Sequence, residues 1–158
     1  MSQPARNPGE LALLAADVFE AAGVLRRHGE RTAATAGQTQ ARWQLLSVVS
    51  DGDWTVPAAA DRLGTSRQAV QRIANELVED GLAAFEGNPR HRRSPFLRLT
   101  DDGRRALAAI SVKARLESQA ILSRPDGLDV ALIRSGLRQL TSAVRARLDD
   151  TGKDVPSG

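Results

Sequence analysis

The chain has 158 residues and a net charge of +3, a length that suits one domain able to bury its own core. It has no cysteine, which excludes a disulfide framework, a thiolate nucleophile, an iron–sulfur cluster and a thiol redox sensor. No run of apolar residues is long enough to predict a transmembrane helix or a signal peptide, so we expect a cytoplasmic protein. The two histidines, His28 and His91, lie far apart and predict neither a metal site nor a cofactor.

The N-terminal part of the chain predicts one long helix. Residues 1–8 contain two prolines and small polar side chains and are expected to be flexible, as are residues 151–158 at the other end. Apolar residues then recur at helical spacing, which predicts a helix from Gly9 to His28 that is apolar on nearly every face. Arg31 to Gln38 is expected to be a loop.

Three shorter helices are predicted next, each preceded by a hydroxyl side chain that can cap it. Thr39 is expected to cap the second helix and Thr55 the third, which ends near Gly64. Thr65 or Ser66 is expected to cap the fourth, which stops at Gly81. The apolar residues expected on the buried side of the second helix are Trp43, Leu46 and Val49, with Leu45 beside them.

The last part of the chain predicts a β-hairpin and two further helices. Residues 82–86 and 95–99 have the pattern of two short strands joined by a long basic loop. Thr100 is expected to cap a long helix over residues 101–123, and the final helix is expected to begin at Pro125 and Asp126.

Ala59 to Leu77, AADRLGTSRQAVQRIANEL, has the pattern of a helix-turn-helix. The fourth helix carries one apolar stripe, which includes Val70 and Leu77, and a second stripe about half a turn away that is polar and basic. The first two turns of the helix contain no acid, whereas an ordinary exposed helix would favour Glu and Lys there. Arginine and glutamine can bind guanine and adenine edges bidentately, and a helix N-terminus can receive a phosphate. The side chains predicted to contact DNA from this segment are Thr65, Ser66, Arg67, Gln68, Gln71, Arg72 and Asn75.

The basic loop lies directly after the helix-turn-helix. Between Gly87 and Arg98 there are four arginines and no acid. A hairpin in this order is a wing, which can lie along the duplex beside the fourth helix. We expect Arg90, at the tip, to enter the minor groove, and Arg92 and Arg93 to hold phosphates or brace the hairpin.

Taken together, these segments resemble the MarR (multiple antibiotic resistance regulator) family of winged-helix repressors. The resemblance covers nearly the whole chain, and its most specific motifs are A-x-x-L-G-x-S-R-x-x-V-x-R at Ala60–Arg72, N-P-R-H-R-R at Asn88–Arg93 and L-T-x-x-G at Leu99–Gly103. Family wings usually read D-x-R, so Asn88 stands where an aspartate is usual. This wing is therefore expected to be looser, or to be held by neutral hydrogen bonds.

The resemblance implies a mainly α fold: a winged helix-turn-helix with a two-stranded β-wing, plus N- and C-terminal dimerisation helices. Residues 9–30 and 101–150 would form the dimerisation region and residues 39–100 the DNA-binding region. The first and last helices each carry more apolar surface than one small core requires, which also favours a homodimer. A dimer would place two copies of the fourth helix about one DNA turn apart, so an inverted-repeat operator is expected.

A sequence-specific regulator is one of several functions to which these motifs can be compared. No P-loop, dinucleotide-binding glycine motif or H-E-x-x-H is present, which argues against an enzyme. A nucleoid-type protein without sequence preference and a winged helix that binds only protein remain alternatives. Family members often respond to small aromatic or phenolic ligands, and the residues that could lie near such a cleft are His28, Arg42 and Trp43.

Overall fold

A computed structural model describes residues 8–125 and 127–153, with side chains described up to residue 150. The chain divides into two compact units, with the boundary in the sequence between Glu117 and Ser118. Within the described residues the elements are α1 (Pro8–Ala34), α2 (Gln40–Val49), β1 (Trp54–Thr55), α3 (Val56–Leu63), α4 (Arg67–Glu79), β2 (Ala83–Glu86), β3 (Phe96–Leu99), α5 (Asp101–Leu122) and α6 (Val130–Lys153).

Helix α1 continues to Ala34, six residues beyond the predicted end at His28. The extra turns pack against α2: Thr32 and Ala33 are buried, and Gly29 lies against the side chain of Gln40. The carboxylate of Glu30 also accepts a hydrogen bond from the backbone N–H of Gln40 (2.8 Å). The expected loop at residues 31–38 is therefore shorter: Arg31, Ala33 and Ala34 favour a helix, and packing against α2 fixes these last turns.

The predicted hydroxyl caps are confirmed. Thr39, Thr55 and Ser66 each accept a hydrogen bond from the backbone N–H three residues on, at the N-termini of α2, α3 and α4. Thr100 does the same for Gly103 at the start of α5 (3.1 Å). These bonds satisfy backbone donors that have no partner within the helix, and they explain why four helix starts were predictable from sequence.

The main core lies under the helix-turn-helix. It joins α2, α3, α4 and the sheet, and its fully buried large side chains include Leu45, Leu46, Leu77 and Leu97. Leu45 is completely buried, whereas Trp43 is only partly buried. The prediction that Trp43 lies on the buried side and Leu45 beside it was therefore wrong: Leu45 is the more buried of the two. The face of α2 that packs against α3 and α4 is rotated toward Leu45.

The wing strands β2 and β3 pair antiparallel, as predicted, with Ala83 opposite Leu99 and Glu86 opposite Phe96. A third strand that was not predicted, β1, pairs with the other side of β3 and gives the order β1-β3-β2. With only two residues, β1 has too little alternation to be seen in the sequence. It anchors β3 to the segment that enters α3, so the base of the wing is held on both sides.

The L-T-x-x-G segment closes the joint between the wing and α5. The hydroxyl of Thr100 donates to the carbonyl oxygen of Gly81 (2.6 Å). The backbone N–H of Thr100 donates to the carbonyl oxygen of Leu82 (3.1 Å). Arg104 donates to the Leu99 carbonyl (2.9 Å) and forms an ion pair with Asp101 (2.6 Å). The hydrogen bond from Arg104 lowers the pKa of Asp101.

In the second unit, α6 begins at Val130 rather than at Pro125. Asp129 supplies the cap, because its carboxylate accepts from the backbone N–H of Leu132 (2.9 Å). Asp126, which was expected in the first turn, lies outside the described residues. The helix extends to Lys153, while residues 1–7 and 154–158 are not described, so the expected flexibility of both ends stays a prediction.

Across residues 8–125 and 127–153, none of the helices combines the length and the apolar character needed to cross a membrane. The same residues contain no cluster of three or more His, Cys, Asp or Glu side chains that could hold a metal ion.

Candidate nucleic-acid interface

Helix α4 is held at a fixed angle by α3 and the turn between them. Gly64 ends α3 in the left-handed conformation (φ 64°), which a residue with a side chain adopts only at a cost. Ala60, Val70 and Ala74 are buried where the two helices meet, and their small size allows close packing. One face of α4 is thereby fixed against the core, and the opposite face is directed outward.

The outward face of α4 carries the side chains predicted to read bases. Gln68, Gln71, Arg72 and Asn75 are all exposed and line one open depression together with Ser66. Gln71 donates to the side-chain oxygen of Asn75 (2.8 Å), so one glutamine oxygen and one asparagine amide group remain to meet a base edge. The predicted recognition residues are thus brought together on one surface.

The N-terminal end of α4 suits a phosphate. Ser66 accepts from the backbone N–H of Ala69 (3.1 Å), which leaves its own hydroxyl hydrogen available as a donor. Thr65 and Arg67 flank it and are exposed, and no acidic residue lies in the first turn. The positive end of the helix dipole adds to the attraction for an anion.

The wing is braced by Asn88, which is 7% exposed. Its side-chain amide donates to the carbonyl oxygen of Ser94 (2.9 Å), and its side-chain oxygen accepts from the backbone N–H of Arg90 (3.0 Å). Two backbone turns, His91 to Asn88 and Ser94 to His91, complete the loop. Neutral hydrogen bonds to the backbone therefore hold this wing. The side chain of Asn88 bonds to the backbone of Ser94 and Arg90, so the side chains of Arg92 and Arg93 take no part in these two hydrogen bonds.

The four arginines of the basic segment fall into two groups. Arg98 is tied down by Asp53 (2.5 Å) and Glu86 (2.7 Å) and lies over the ring of Phe96. Arg90, Arg92 and Arg93 are exposed, and none forms an ion pair with a described residue. Arg98 therefore stabilises the sheet, and the other three leave their charge available for a partner.

The wing and α4 open onto a common groove of about 390 Å³. Arg67, Gln68 and Gln71 line it from α4, and Arg93 lines it from the wing. Apolar side chains also line it, among them Phe85, which was not predicted to lie near the interface. Arg93 of the wing and the polar face of α4 therefore border the same groove.

A second cleft, also of about 390 Å³, lies between α1, α2 and α3. His28 and Trp43 line it, together with Arg62 and apolar side chains such as Leu25. Arg42 does not belong to its lining and instead forms an ion pair with Asp80 at the end of α4 (2.5 Å). Of the three residues suggested for a ligand, the structure brings two together and directs the third elsewhere.

Two structurally important side chains had not been assigned their roles from the sequence: Arg98 as an internal ion-pair partner of Asp53 and Glu86, and Glu76 as the partner of Arg72 (2.6 Å). Only Glu76 had a signal in the sequence, because Arg72 and Glu76 are four residues apart on one helix. The role of Arg98 depends on contacts between strands and loops that spacing does not reveal.

Known proteins share both the sequence and the fold. A family model described as the MarR family matches residues 36–94. The uncharacterized protein Rv2011c of Mycobacterium tuberculosis is 53% identical over 137 residues, which are 87% of this chain and 96% of that protein.

Solved structures resemble the chain at low sequence identity. The transcriptional regulator BldR of Sulfolobus solfataricus has a TM-score of 0.73 at 19% identity, covering 85% of this chain and 96% of its own. The M. tuberculosis regulator MosR, in complex with DNA, has a TM-score of 0.70 at 23% identity, covering 84% and 96%. A mutant Escherichia coli MarR complexed with operator DNA has a TM-score of 0.70 at 18% identity, covering 83% and 95%.

The family model spans the helix-turn-helix and most of the wing, the segments that form the interface described above. The family consists of transcription regulators and not of enzymes. The chain belongs to the MarR family of DNA-binding, winged-helix transcription regulators.

Proposed function

We propose that the protein is a repressor that binds an inverted-repeat operator as a homodimer, with α4 in the major groove and the wing in the minor groove. Gln68, Gln71, Arg72 and Asn75 read base edges, while residues 65–67 hold a phosphate at the N-terminus of α4. Arg90 enters the minor groove, and Arg92 and Arg93 contact the backbone. The cytoplasm is the compartment in which such a protein would meet its DNA.

The observation that carries this proposal is the common groove between α4 and the wing. Arg93 from the wing and Gln68 from α4 line one concavity, so a single duplex could meet both elements. The two surfaces differ in chemistry as the two grooves of DNA do. Amides and an arginine suit the donors and acceptors of the major groove, and unpaired arginines suit the negative potential of a narrow minor groove.

Dimer formation is supported by the apolar surface of the terminal helices. On α1, Leu13, Phe19 and Leu25 are 68%, 78% and 63% exposed, and on α6 Leu132 is 69% exposed. Large exposed apolar side chains on a helix are typical of an interface, because soluble monomers rarely expose large apolar patches. A second copy of the chain is the partner that the proposal assigns to them.

DNA selection tests sequence recognition directly. The full chain is incubated with a library of randomised duplexes, and the bound fraction is sequenced. We expect a palindromic consensus with half-sites about one helical turn, roughly 10 base pairs, apart. Transcription in vitro from a promoter that overlaps this site should fall as protein is added. Equal affinity for the selected and the scrambled duplex would contradict specific recognition and favour a nucleoid-type protein.

Sedimentation equilibrium tests the oligomeric state. The expected result at micromolar concentration is twice the chain mass of 16.9 kDa. A folded monomer at that concentration would contradict both the dimer and the inverted-repeat operator that depends on it.

The cleft lined by His28 and Trp43 is the site that we propose for a small aromatic effector. Its lining combines apolar side chains with Arg62 and His28, which suits an aromatic ring that carries an acid group. The chain has two tryptophans, so Trp54→Phe leaves Trp43 as the only one. Titration of this variant with benzoate should quench its fluorescence saturably, and Arg42→Ala should not change the result. A linear response that is the same after His28→Ala would argue against the site.

A further inference from the structure

We propose that Glu76 is a positioning residue for DNA reading: it holds the guanidinium of Arg72 in the orientation that contacts a base, and its own charge weakens binding to non-target DNA. The inference rests on the proposed function, because it assumes that α4 lies in the major groove. It concerns a residue that makes no base contact itself.

Arg72 and Glu76 form an ion pair along α4. The Nη1 of Arg72 lies 2.6 Å from Oε1 of Glu76, one helical turn toward the C-terminus. The side chain of Arg72 is 70% exposed, whereas that of Glu76 is 38% exposed. The carboxylate therefore lies at the edge of the reading face, nearer the body of the protein, while the guanidinium projects from that face.

The hydrogen bond leaves the arginine able to recognise a base. A guanidinium has five N–H donors, and this contact uses one of them. The remaining donors include pairs that can bind the O6 and N7 atoms of guanine. An unpaired arginine must lose rotamer freedom when it binds, at a cost that pre-orientation reduces. The neighbouring pair of Gln71 and Asn75, with an N–O distance of 2.8 Å, is constrained in the same way.

The carboxylate also has a cost for binding. Glu76 is the first acid of α4, so it is the negative charge on this helix nearest to the acid-free turns that face DNA. Its repulsion of phosphates acts on every sequence, whereas its orientation of Arg72 helps only where the correct base is present. Removal of the charge should therefore raise the affinity for random DNA and lower the discrimination between bases.

The experiment compares the full-length wild type with Glu76→Gln, Glu79→Gln, Arg72→Ala and the double variant Arg72→Ala/Glu76→Gln. Glu79→Gln is the matched control, since Glu79 is an exposed acid on the same helix and has no ion pair with a described residue. The probes are the duplex selected by the wild type, its single-base variants and a scrambled duplex. Affinities are measured at several salt concentrations, with a melting temperature for each protein.

Both Gln variants should bind the scrambled duplex more tightly than the wild type does. Only Glu76→Gln should lose discrimination at the position that Arg72→Ala also relaxes. The loss should be about 1.5- to twofold, the ratio that corresponds to an ion pair one helical turn apart. In the Arg72→Ala background, Glu76→Gln should change discrimination no further. The melting temperatures of both Gln variants should stay close to that of the wild type.

Three results would overturn the role of Glu76. They are an unchanged base profile for Glu76→Gln, an equal loss of discrimination for Glu79→Gln, and an effect of Glu76→Gln on discrimination that persists without Arg72. A clear wild-type consensus together with any of these would leave the proposed function standing. A wild type that selects no consensus would overturn the proposed function and this inference with it.

Discussion

Asn88 donates a hydrogen bond from its side-chain amide to the carbonyl oxygen of Ser94 (2.9 Å), and this contact closes the base of the wing loop. The same side chain accepts from the backbone N–H of Arg90 (3.0 Å), so one buried amide uses both its donor and its acceptor. An aspartate, which is usual here in related wings, could replace the acceptor but not the donor. The neutral amide of Asn88 therefore makes both hydrogen bonds that the loop requires, whereas a carboxylate could make only one of them.

Asn88→Asp should lower the free energy of unfolding by about 1–3 kcal/mol, because a carboxylate would face the Ser94 carbonyl in a buried site without a hydrogen bond. Affinity for DNA should fall as well, since the loop that presents Arg90 would loosen. Thermal unfolding and DNA titration measure the two effects. Asn75→Asp is the control: it adds the same charge at an exposed position and keeps the acceptor for Gln71, so it should leave the melting temperature nearly unchanged. An Asn88→Asp protein as stable as the wild type would mean that the wing reorganises around an arginine–carboxylate pair.

Gly103→Ala should destabilise the fold at the joint between the wing and α5. A β-carbon at Gly103 would lie 1.9 Å from the carbonyl oxygen of Leu82, so the backbone of one segment must move. The expected cost is roughly 1–3 kcal/mol or more, as for other overpacked sites. Gly136→Ala is the matched control, because nothing lies within 4 Å of its added β-carbon and alanine favours a helix by about 1 kcal/mol. Equal melting temperatures for the two variants would contradict the close approach.

Arg90→Ala should weaken binding to the selected and the scrambled duplex alike, because the minor groove offers a degenerate pattern. The slope of log affinity against log salt should fall by about one unit, since each neutralised phosphate contributes nearly that much. The melting temperature should hold, because Arg90 is exposed. Arg98→Ala should instead leave the salt slope unchanged and lower the melting temperature. It removes ion pairs to Asp53 and Glu86 and should cost about 1 kcal/mol of stability. An unchanged slope for Arg90→Ala would show that the wing tip does not meet DNA.

Gln71→Ala or Arg72→Ala should cost roughly 1–3 kcal/mol on the selected duplex and relax the choice of base at one position. For Gln71, which is neutral, affinity for the scrambled duplex should not change. Competition binding against single-base variants of the duplex measures both effects. Gln119→Ala, an exposed change outside the winged helix, should behave as wild type. A loss from Gln71→Ala that is equal on both duplexes would assign the residue to the phosphate backbone.

The sequence by itself determined most of the helices and the polar face of α4. The starts of α2, α3, α4 and α5 were predictable because a cap is a local hydrogen bond over three residues. The opposite stripes of α4 were predictable because helical periodicity alone separates Val70 and Leu77 from Gln68 and Gln71. Local chemistry also marked the wing, since four arginines and a turn lie within one short segment.

Tertiary structure decided what depends on partners distant in the chain. Helix α1 extends to Ala34 because its last turns pack on α2, and β1 exists because β3 lies beside it. Arg98 looks in sequence like the other wing arginines, yet Asp53, which lies 45 residues earlier in the chain, holds it in the sheet. Likewise, Gly103 was recognisable as part of a motif, but only the position of the Leu82 carbonyl gives the reason that no side chain fits there. Spacing encodes contacts within a helix, whereas contacts between elements follow from how the core packs.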